Sequence, residues 1–592
     1  MNWPYHFLTL SKEDVLVRRH TIDHYARIAS LSALAPAIVA ILVRLVLRAA
    51  RPLLRLGRDG GDRGRYSHIP GSPTVKAQRS SGFGALAARW RALAWWLGDD
   101  VVLGGVSWGQ RDEWVLGLLW TSWLLVLCVL ETGQDYLHLT KRFGTIAVSQ
   151  LPIQYLLALK ALNPYAYAFS SSHEHINRYH RTLGRVIYAL VMAHIVFYNV
   201  FFILSGIWLK RFFAPVVFCG VLAALTFDGL FATALVRVRQ YSYRLFFITH
   251  LGVALLAPVL LFFHAHSGRV YVAGSVVVFL ADIAYRGFTT THTASTFETV
   301  PGTNLVKISA PMPAEKIEQF RSRPGSHIYL SIPPEGRTSK YPASKSFTFD
   351  LLFNPFTVAS ANQDTQSITL VARNRTGPMT NILSQFATPT SSSSSSSSLD
   401  DNKITLAIEG PHGAIGKHFQ HLLTWGASRI LLVAGGVGAT FALPLYHALQ
   451  RELPSAHAQF VWAIRSAADA TWAMTGTGSD KPLLDDDNVH LYLTENMGIS
   501  TDANGRSRDA SIELENMGPG PRSHRSAAST NSNSRRPNFQ KIVDDTFRHG
   551  AEEKVAVLVC GPEEMSRELR QRIGPWVLKG REVWWHNESF GW

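Results

Sequence analysis

Four histidines are the residues of this chain whose type and spacing most plainly suggest chemistry. His180 and His194 bracket the run HRTLGRVIYALVMAH, and His250 and His264 bracket HLGVALLAPVLLFFH. Both pairs are fourteen residues apart. At about 100° and 1.5 Å per residue, that interval returns a helical side chain to nearly the same face, roughly 21 Å along the axis. Ionisable groups at membrane depth are costly and are usually functional. If the two runs are membrane helices separated by one returning span, they point the same way. His180 then levels with His250, and His194 with His264, so that each level can clamp one metal between two imidazoles.

Neither pair brings a carboxylate or thiolate, so a zinc centre fits poorly and haem iron is the expected metal. Two imidazoles fill both axial positions of a haem, which favours electron transfer over oxygen binding. Two haems b stacked through a bilayer would form an electron wire. The competing reading makes the four histidines hydrogen-bonded core residues that tie neighbouring helices. His173 and His175 read as loop residues, and His266 turns about 200° away from His264.

The elements that must hold these rings are visible in the hydropathy. Apolar runs of the ~17–25 residues that a bilayer requires fall near 29–49, 113–131, 146–162, 180–204, 215–236, 245–264 and 269–287. They predict about seven membrane helices, the third interrupted by Pro152, Gln154 and Lys160. The excess of 58 Lys and Arg over 43 Asp and Glu reads as membrane orientation by basic loops rather than nucleic-acid binding. Residues 44–100 hold eleven Lys/Arg against four acids. Setting that loop in the cytosol puts the N-terminus outside and the C-terminal half inside. The chain then reads as a multi-pass membrane protein, for which the plasma membrane is the expected location. The stretch ALAARWRALAWW (85–96) suggests an interfacial helix. Three scattered cysteines give no disulfide framework.

The expected organisation is an outer tail over 1–28, two membrane helices with a basic loop over 29–140, and a haem-binding helical domain over 141–288. A β-rich domain over 289–418 and an α/β domain over 425–592 follow. Near Thr290 the texture changes to short β-rich segments such as NLVKISA, HIYLSI and SITLVAR, which predict a barrel or sandwich. From Arg429 strand and helix patterns alternate, predicting a parallel α/β sheet. An octaserine run at 391–398 and a polar insert at 499–537 read as flexible surface segments. AGGVGAT follows an apolar strand and precedes a helix, a context that suits a dinucleotide phosphate, although the spacing is not GxGxxG. RNRTGPMTNIL (373–383) places Arg373 or Arg375 beside a helix start at Gly377 and Thr380, which suits a pyrophosphate. A ligand-free glycine turn and a plain helix cap are the alternatives.

These motifs carry a resemblance. NPFTVAS (354–360) resembles the His-Pro-Phe-Thr motif of ferric reductases and NADPH oxidases; PGSH, EGPHG, AGGVGAT and CGPEE follow in the family's order. The ending HNESFGW resembles fungal ferric reductases, and with NRYHRTLGR the likeness covers roughly residues 130–592. It implies a ferredoxin-NADP-reductase-like FAD barrel and an NADPH-binding domain behind a bis-histidine haem domain. It also implies that Pro355, Phe356, Thr357 and Ser360 hold FAD, with Arg373, Gly377 and Thr380 at its pyrophosphate. Gly435, Gly436, Gly438, Thr440, Arg465, Gly561 and Pro562 would meet NADPH, Arg465 at the 2′-phosphate. Cys560 would lie by the nicotinamide, and Phe590 would stack on the flavin ring. Asn354 departs from the family's histidine, keeping a donor and an acceptor while putting flavin affinity and potential in question.

The implied activity is that of a ferric-chelate reductase, moving electrons from cytosolic NADPH through FAD and two haems to extracellular chelated Fe(III) or Cu(II). A high-affinity iron permease or oxidase would act downstream. Dioxygen as acceptor, in an NADPH oxidase, and a non-catalytic haem-binding subunit are the two rival functions.

Overall fold

The computed structural model describes residues 4–56, 82–104, 106–337, 353–375, 377–387, 403–474, 483–494, 536–550 and 553–588. The chain divides into two compact units, with the boundary of the main bodies between Thr290 and Thr291. The first is helical. Among the described residues six helices are long and apolar enough to cross a bilayer: Lys12–Ala50, Arg111–Val129, His173–Leu204, Pro215–Thr233, Tyr243–His264 and His266–Thr289. The first begins well upstream of the span expected at 29–49. The protein is therefore a multi-pass membrane protein. Many large apolar side chains on these helices face outward, among them Leu118, Val200, Leu225 and Phe263, as surfaces that meet lipid must.

The span expected at 146–162 is not one continuous helix. Two shorter helices, α1 (Tyr136–Ser149) and α2 (Leu151–Ala158), take its place, with Gln150 between them and Pro152 in the first turn of the second. A proline there lacks the N–H that would continue the preceding turn. Asn163 and Asp282 satisfy the backbone just beyond α2. The buried Asp282 carboxylate accepts the N–H groups of Ala161 and Leu162 at 2.9 and 2.8 Å.

The two histidine-bearing helices, α3 (His173–Leu204) and α4 (Tyr243–His264), start at serines. The Ser172 and Ser242 hydroxyls accept the N–H groups of His175 and Leu245, both at 3.2 Å. Pro258 lies inside α4, so the carbonyl of Ala254 loses its helical partner; the Tyr155 hydroxyl from α2 donates to that carbonyl instead. The break in the third span and the proline in α4 thus answer each other.

The second unit opens with a closed six-stranded antiparallel barrel: β1 (Thr291–Thr299), β2 (Leu305–Pro311), β3 (His327–Ser331), β4 (Asn354–Asn362), β5 (Ser367–Arg373) and β6 (Ile404–His412), in the order β1-β2-β5-β4-β3-β6. Alternate residues Phe297, Ile308, Leu330, Val358, Leu370 and Leu406 fill it. A five-stranded parallel sheet follows: β7 (Arg429–Gly435), β8 (His457–Ile464), β9 (Val489–Leu493), β10 (Val555–Cys560) and β11 (Val583–Asn587), in the order β9-β8-β7-β10-β11. The order reverses between β7 and β10, and ligands of open α/β sheets bind in the crevice at such a switch point. The octaserine run and nearly all of the polar insert expected at 499–537 lie outside the described residues.

Candidate functional site

The four histidines form two separate pairs, both spanning α3 and α4. The ring centres of His180 and His250 are 6.3 Å apart, with planes at 66°; those of His194 and His264 are also 6.3 Å apart, at 84°. An imidazole nitrogen lies about 1.1 Å from its ring centre and binds a metal at about 2.0–2.1 Å. Two rings on opposite sides of one ion are therefore about 6.2–6.4 Å apart. Both pairs sit at that separation.

The outer edges of the rings are anchored. The Nδ1–H groups of His180, His194 and His264 donate to the carbonyls of Gln154, Thr140 and Val216 at 2.9, 2.8 and 2.7 Å. A carbonyl can only accept, so each of these Nδ1 atoms carries a proton, and Nε2 is the nitrogen that the neutral ring leaves as acceptor. His250 Nδ1 is buried without a hydrogen-bond partner. The Gln154 side-chain amide donates to the His180 carbonyl at 3.0 Å and lies 3.4 Å from its Nε2.

Two glycines that sequence reasoning passed over make room for the second pair. A Cβ on Gly144, in α1, would fall 2.6 Å from His194 Nδ1, and one on Gly220 would fall 2.4 Å from His264 Cε1. Small residues inside apolar helices were the available signal. Among the described residues no three His, Cys, Asp or Glu side chains gather as a metal site. The donor set is thus two imidazoles per level and suits a metal whose other positions are filled by a macrocycle.

In the second unit NPFT lies on β4, with Phe356 turned toward the barrel core. Ala359 packs with Val437 of the glycine turn, so the face of β4 that also carries Thr357 borders the nucleotide-type sheet. Ser360 is exposed. The helix α5 (Pro378–Ala387) starts after Gly377, and the Thr380 hydroxyl closes that turn on the carbonyl of Arg375 at 2.9 Å. Arg373 points elsewhere: its Nη2 donates to Asp469 Oδ2 at 3.1 Å.

The glycines of AGGVG bring the ends of β7 and β10 together. A Cβ on Gly438 would overlap the Cys560 carbonyl at 2.2 Å, and one on Gly561 would meet Met565 Cε at 2.3 Å. A Cβ on Gly435 would likewise fall 2.7 Å from Pro562 Cδ. Gly436 has φ +56°, the left-handed conformation that favours glycine. The buried Thr440 hydroxyl donates to the Val437 carbonyl at 2.9 Å and so braces the turn. Arg465 is exposed just beyond β8. Cys560 is buried; burial, then the charge of Glu588, pushes its thiol upward, so it stays neutral.

A buried ionisable cluster went unread as such, although its members lie in the quoted motifs PGSH, EGPHG and HNESFGW. His327 sits opposite Thr357 in the β3–β4 ladder, with Nδ1 3.9 Å from Glu588 Oε1. His586 Nε2 hydrogen-bonds Glu588 Oε2 at 2.9 Å, and His412 Nε2 lies 3.2 Å from Glu409 Oε1. Polar residues inside a strand motif give no burial signal in one sequence. Phe590 lies outside the described residues.

Three family models match the chain in succession. They are a ferric reductase like transmembrane component over residues 143–261, an FAD-binding domain over 291–415 and a ferric reductase NAD binding domain over 427–573. Among curated proteins, a probable metalloreductase AIM14 of Scheffersomyces stipitis is 24% identical over 525 residues, covering 84% of this chain and 88% of that protein. A protein of the same description from Meyerozyma guilliermondii is 24% identical, covering 75% and 84%. The ferric/cupric reductase transmembrane component 2 of Schizosaccharomyces pombe is 21% identical, covering 76% and 80%.

Proposed function

Because the chain belongs to the ferric reductase family, we propose that it is a plasma-membrane metalloreductase. It oxidises NADPH on the cytosolic side and reduces chelated Fe(III) or Cu(II) outside. The FAD-binding and NAD-binding domains make it a flavin- and nicotinamide-dependent oxidoreductase; the choice of NADPH, the two haems b, the direction and the acceptor are our reading. The observation that carries it is the pair of equal 6.3 Å imidazole separations on one helix pair.

His180 with His250 and His194 with His264 would hold the haems, the face of Thr357 and the α5 start the flavin, and the glycine turn the nucleotide. When bound, these groups supply a two-electron hydride donor, a converter from two-electron to one-electron chemistry, and one-electron carriers. The protein's own part is positional. Carbonyl anchors fix the Nδ1 edges of three rings, and the second imidazole of each pair would keep the metal substrate from binding there. The neutral Cys560 thiol puts no negative charge beside the nucleotide turn.

The basic loop before residue 100 supports a cytosolic location for the flavin half. A permease that takes up Fe(II) would consume the product. The deciding experiment uses the purified full-length protein in sealed vesicles with FAD and haem. NADPH supplied on one side should bleach the flavin, reduce the haem spectrum and turn an Fe(II) indicator on the other. Superoxide without iron reduction would mark an oxidase, and haem binding without NADPH-driven reduction a non-catalytic subunit.

A further inference from the structure

Sequence offers two arginines, Arg373 and Arg375, for one flavin pyrophosphate, and the fold sends them to different places. Arg375 lies at the start of α5, where its backbone N–H donates to Thr380 Oγ1 at 3.1 Å and its side chain is exposed. Arg373 is the last residue of β5, yet its guanidinium leaves the barrel for the nucleotide sheet. Nη2 meets the buried carboxylate of Asp469, just beyond β8, at 3.1 Å. The same nitrogen lies 3.7 Å from where a Cβ on Gly436 would stand. Arg373 is thus a flavin-barrel residue whose charge sits at the glycine turn.

Two donors at this place lack partners. Arg373 Nε is buried with no hydrogen-bond partner, and so is the indole Nε1 of Trp472. Trp472 and Val437 of the glycine turn pack on the same small cluster, formed by Val300, Leu305, Ala359 and Val371. Burying an unpaired donor is costly, and a guanidinium carries five N–H groups in a rigid fork. Asp469 engages one corner of that fork and leaves another donor unpaired. A carboxylate that only neutralised the arginine would not account for the second orphan donor on Trp472.

We propose that Arg373 binds the pyrophosphate of the nicotinamide dinucleotide, held toward the glycine turn by Asp469 as a positioning residue. Arg375 and the α5 start are left to the flavin. This rests on the nucleotide-dependent reading above and divides its phosphate contacts between the two arginines. It also means that the barrel completes the nucleotide site.

The test uses full-length protein in detergent, comparing wild type with R373Q, R373K, R375Q and D469N. FAD per chain is measured by absorbance, and binding of ADP-ribose and of 2′-AMP, which lacks a pyrophosphate, by calorimetry. R373Q should weaken ADP-ribose about tenfold, the scale of one lost charge-assisted hydrogen bond, with 2′-AMP binding and FAD content unchanged. R373K should restore part of that loss, D469N should lose about threefold, and R375Q should lower FAD content instead. Loss of FAD in R373Q with ADP-ribose unchanged would overturn the assignment, as would no change in either. If R373Q does not fold, unaltered ADP-ribose affinity in both R373K and D469N overturns it. A wild type that binds neither FAD nor ADP-ribose would instead defeat the functional reading itself.

Discussion

At the scale of single residues, the four imidazoles are not equivalent. His180, His194 and His264 are each fixed by a backbone carbonyl, whereas His250 Nδ1 has none. Replacing any one of the four with alanine should remove the haem of its own level and leave the other, so haem per chain falls by about half in a pyridine haemochrome assay. Each substitution would leave one imidazole where the proposed site has two. Gly144→Ala and Gly220→Ala should disturb the second pair without touching a ligand, because a methyl at either site would lie under 3.0 Å from a ring. Their signature is an altered low-temperature haem spectrum for that level alone. Cys560 gives a pH test. Its folded thiol is raised above the unfolded value of about 8.5, by burial and then by Glu588. The stability it contributes is therefore complete below that pH and falls as pH rises beyond it. Maleimide labelling of folded protein should stay slow at pH 9, and C560A should flatten the alkaline decline of the unfolding temperature.

At the scale of elements, the membrane unit is arranged around interruptions. Pro152 splits the third span, and Pro258 frees the Ala254 carbonyl that Tyr155 then satisfies. Lipid offers no substitute donor. Tyr155→Phe should cost about 1 kcal/mol, the net worth of one hydrogen bond. Because Ala254 lies one turn beyond His250 on α4, that loss should lower the temperature at which haem is released, read from the Soret band. Gln154 explains why this break belongs to the site: its carbonyl orients His180 only because α2 starts where it does. In the second unit, the glycines at 435, 438 and 561 do the corresponding work by letting β7 and β10 end in contact.

At the scale of the whole molecule, two units of different solvent meet different demands. The helical unit leaves apolar side chains outward for lipid. The barrel and sheet bury theirs and keep charged groups at their junction, as Arg373 with Asp469 and His327 with Glu588. The division predicts that cytosol-side proteolysis of sealed vesicles will release fragments from the C-terminal half while leaving the helical unit protected. Release only from right-side-out vesicles, whose cytosolic face is closed to the protease, would reverse the proposed orientation.

Hydropathy and spacing by themselves determined that this chain crosses a membrane repeatedly, that His180/His194 and His250/His264 share helix faces, and that a β-rich domain, barrel or sandwich, and a parallel sheet follow. Those properties depend on local periodicity, which one sequence carries in full. Tertiary structure alone decided which carbonyls hold three of the rings, which glycines clear space for the second pair, and that the Arg373 guanidinium turns to Asp469. It also brought His327, His586 and Glu588 into one buried cluster. Each of these depends on groups tens to hundreds of residues apart meeting within a few ångströms, and such meetings leave no periodic trace in the chain.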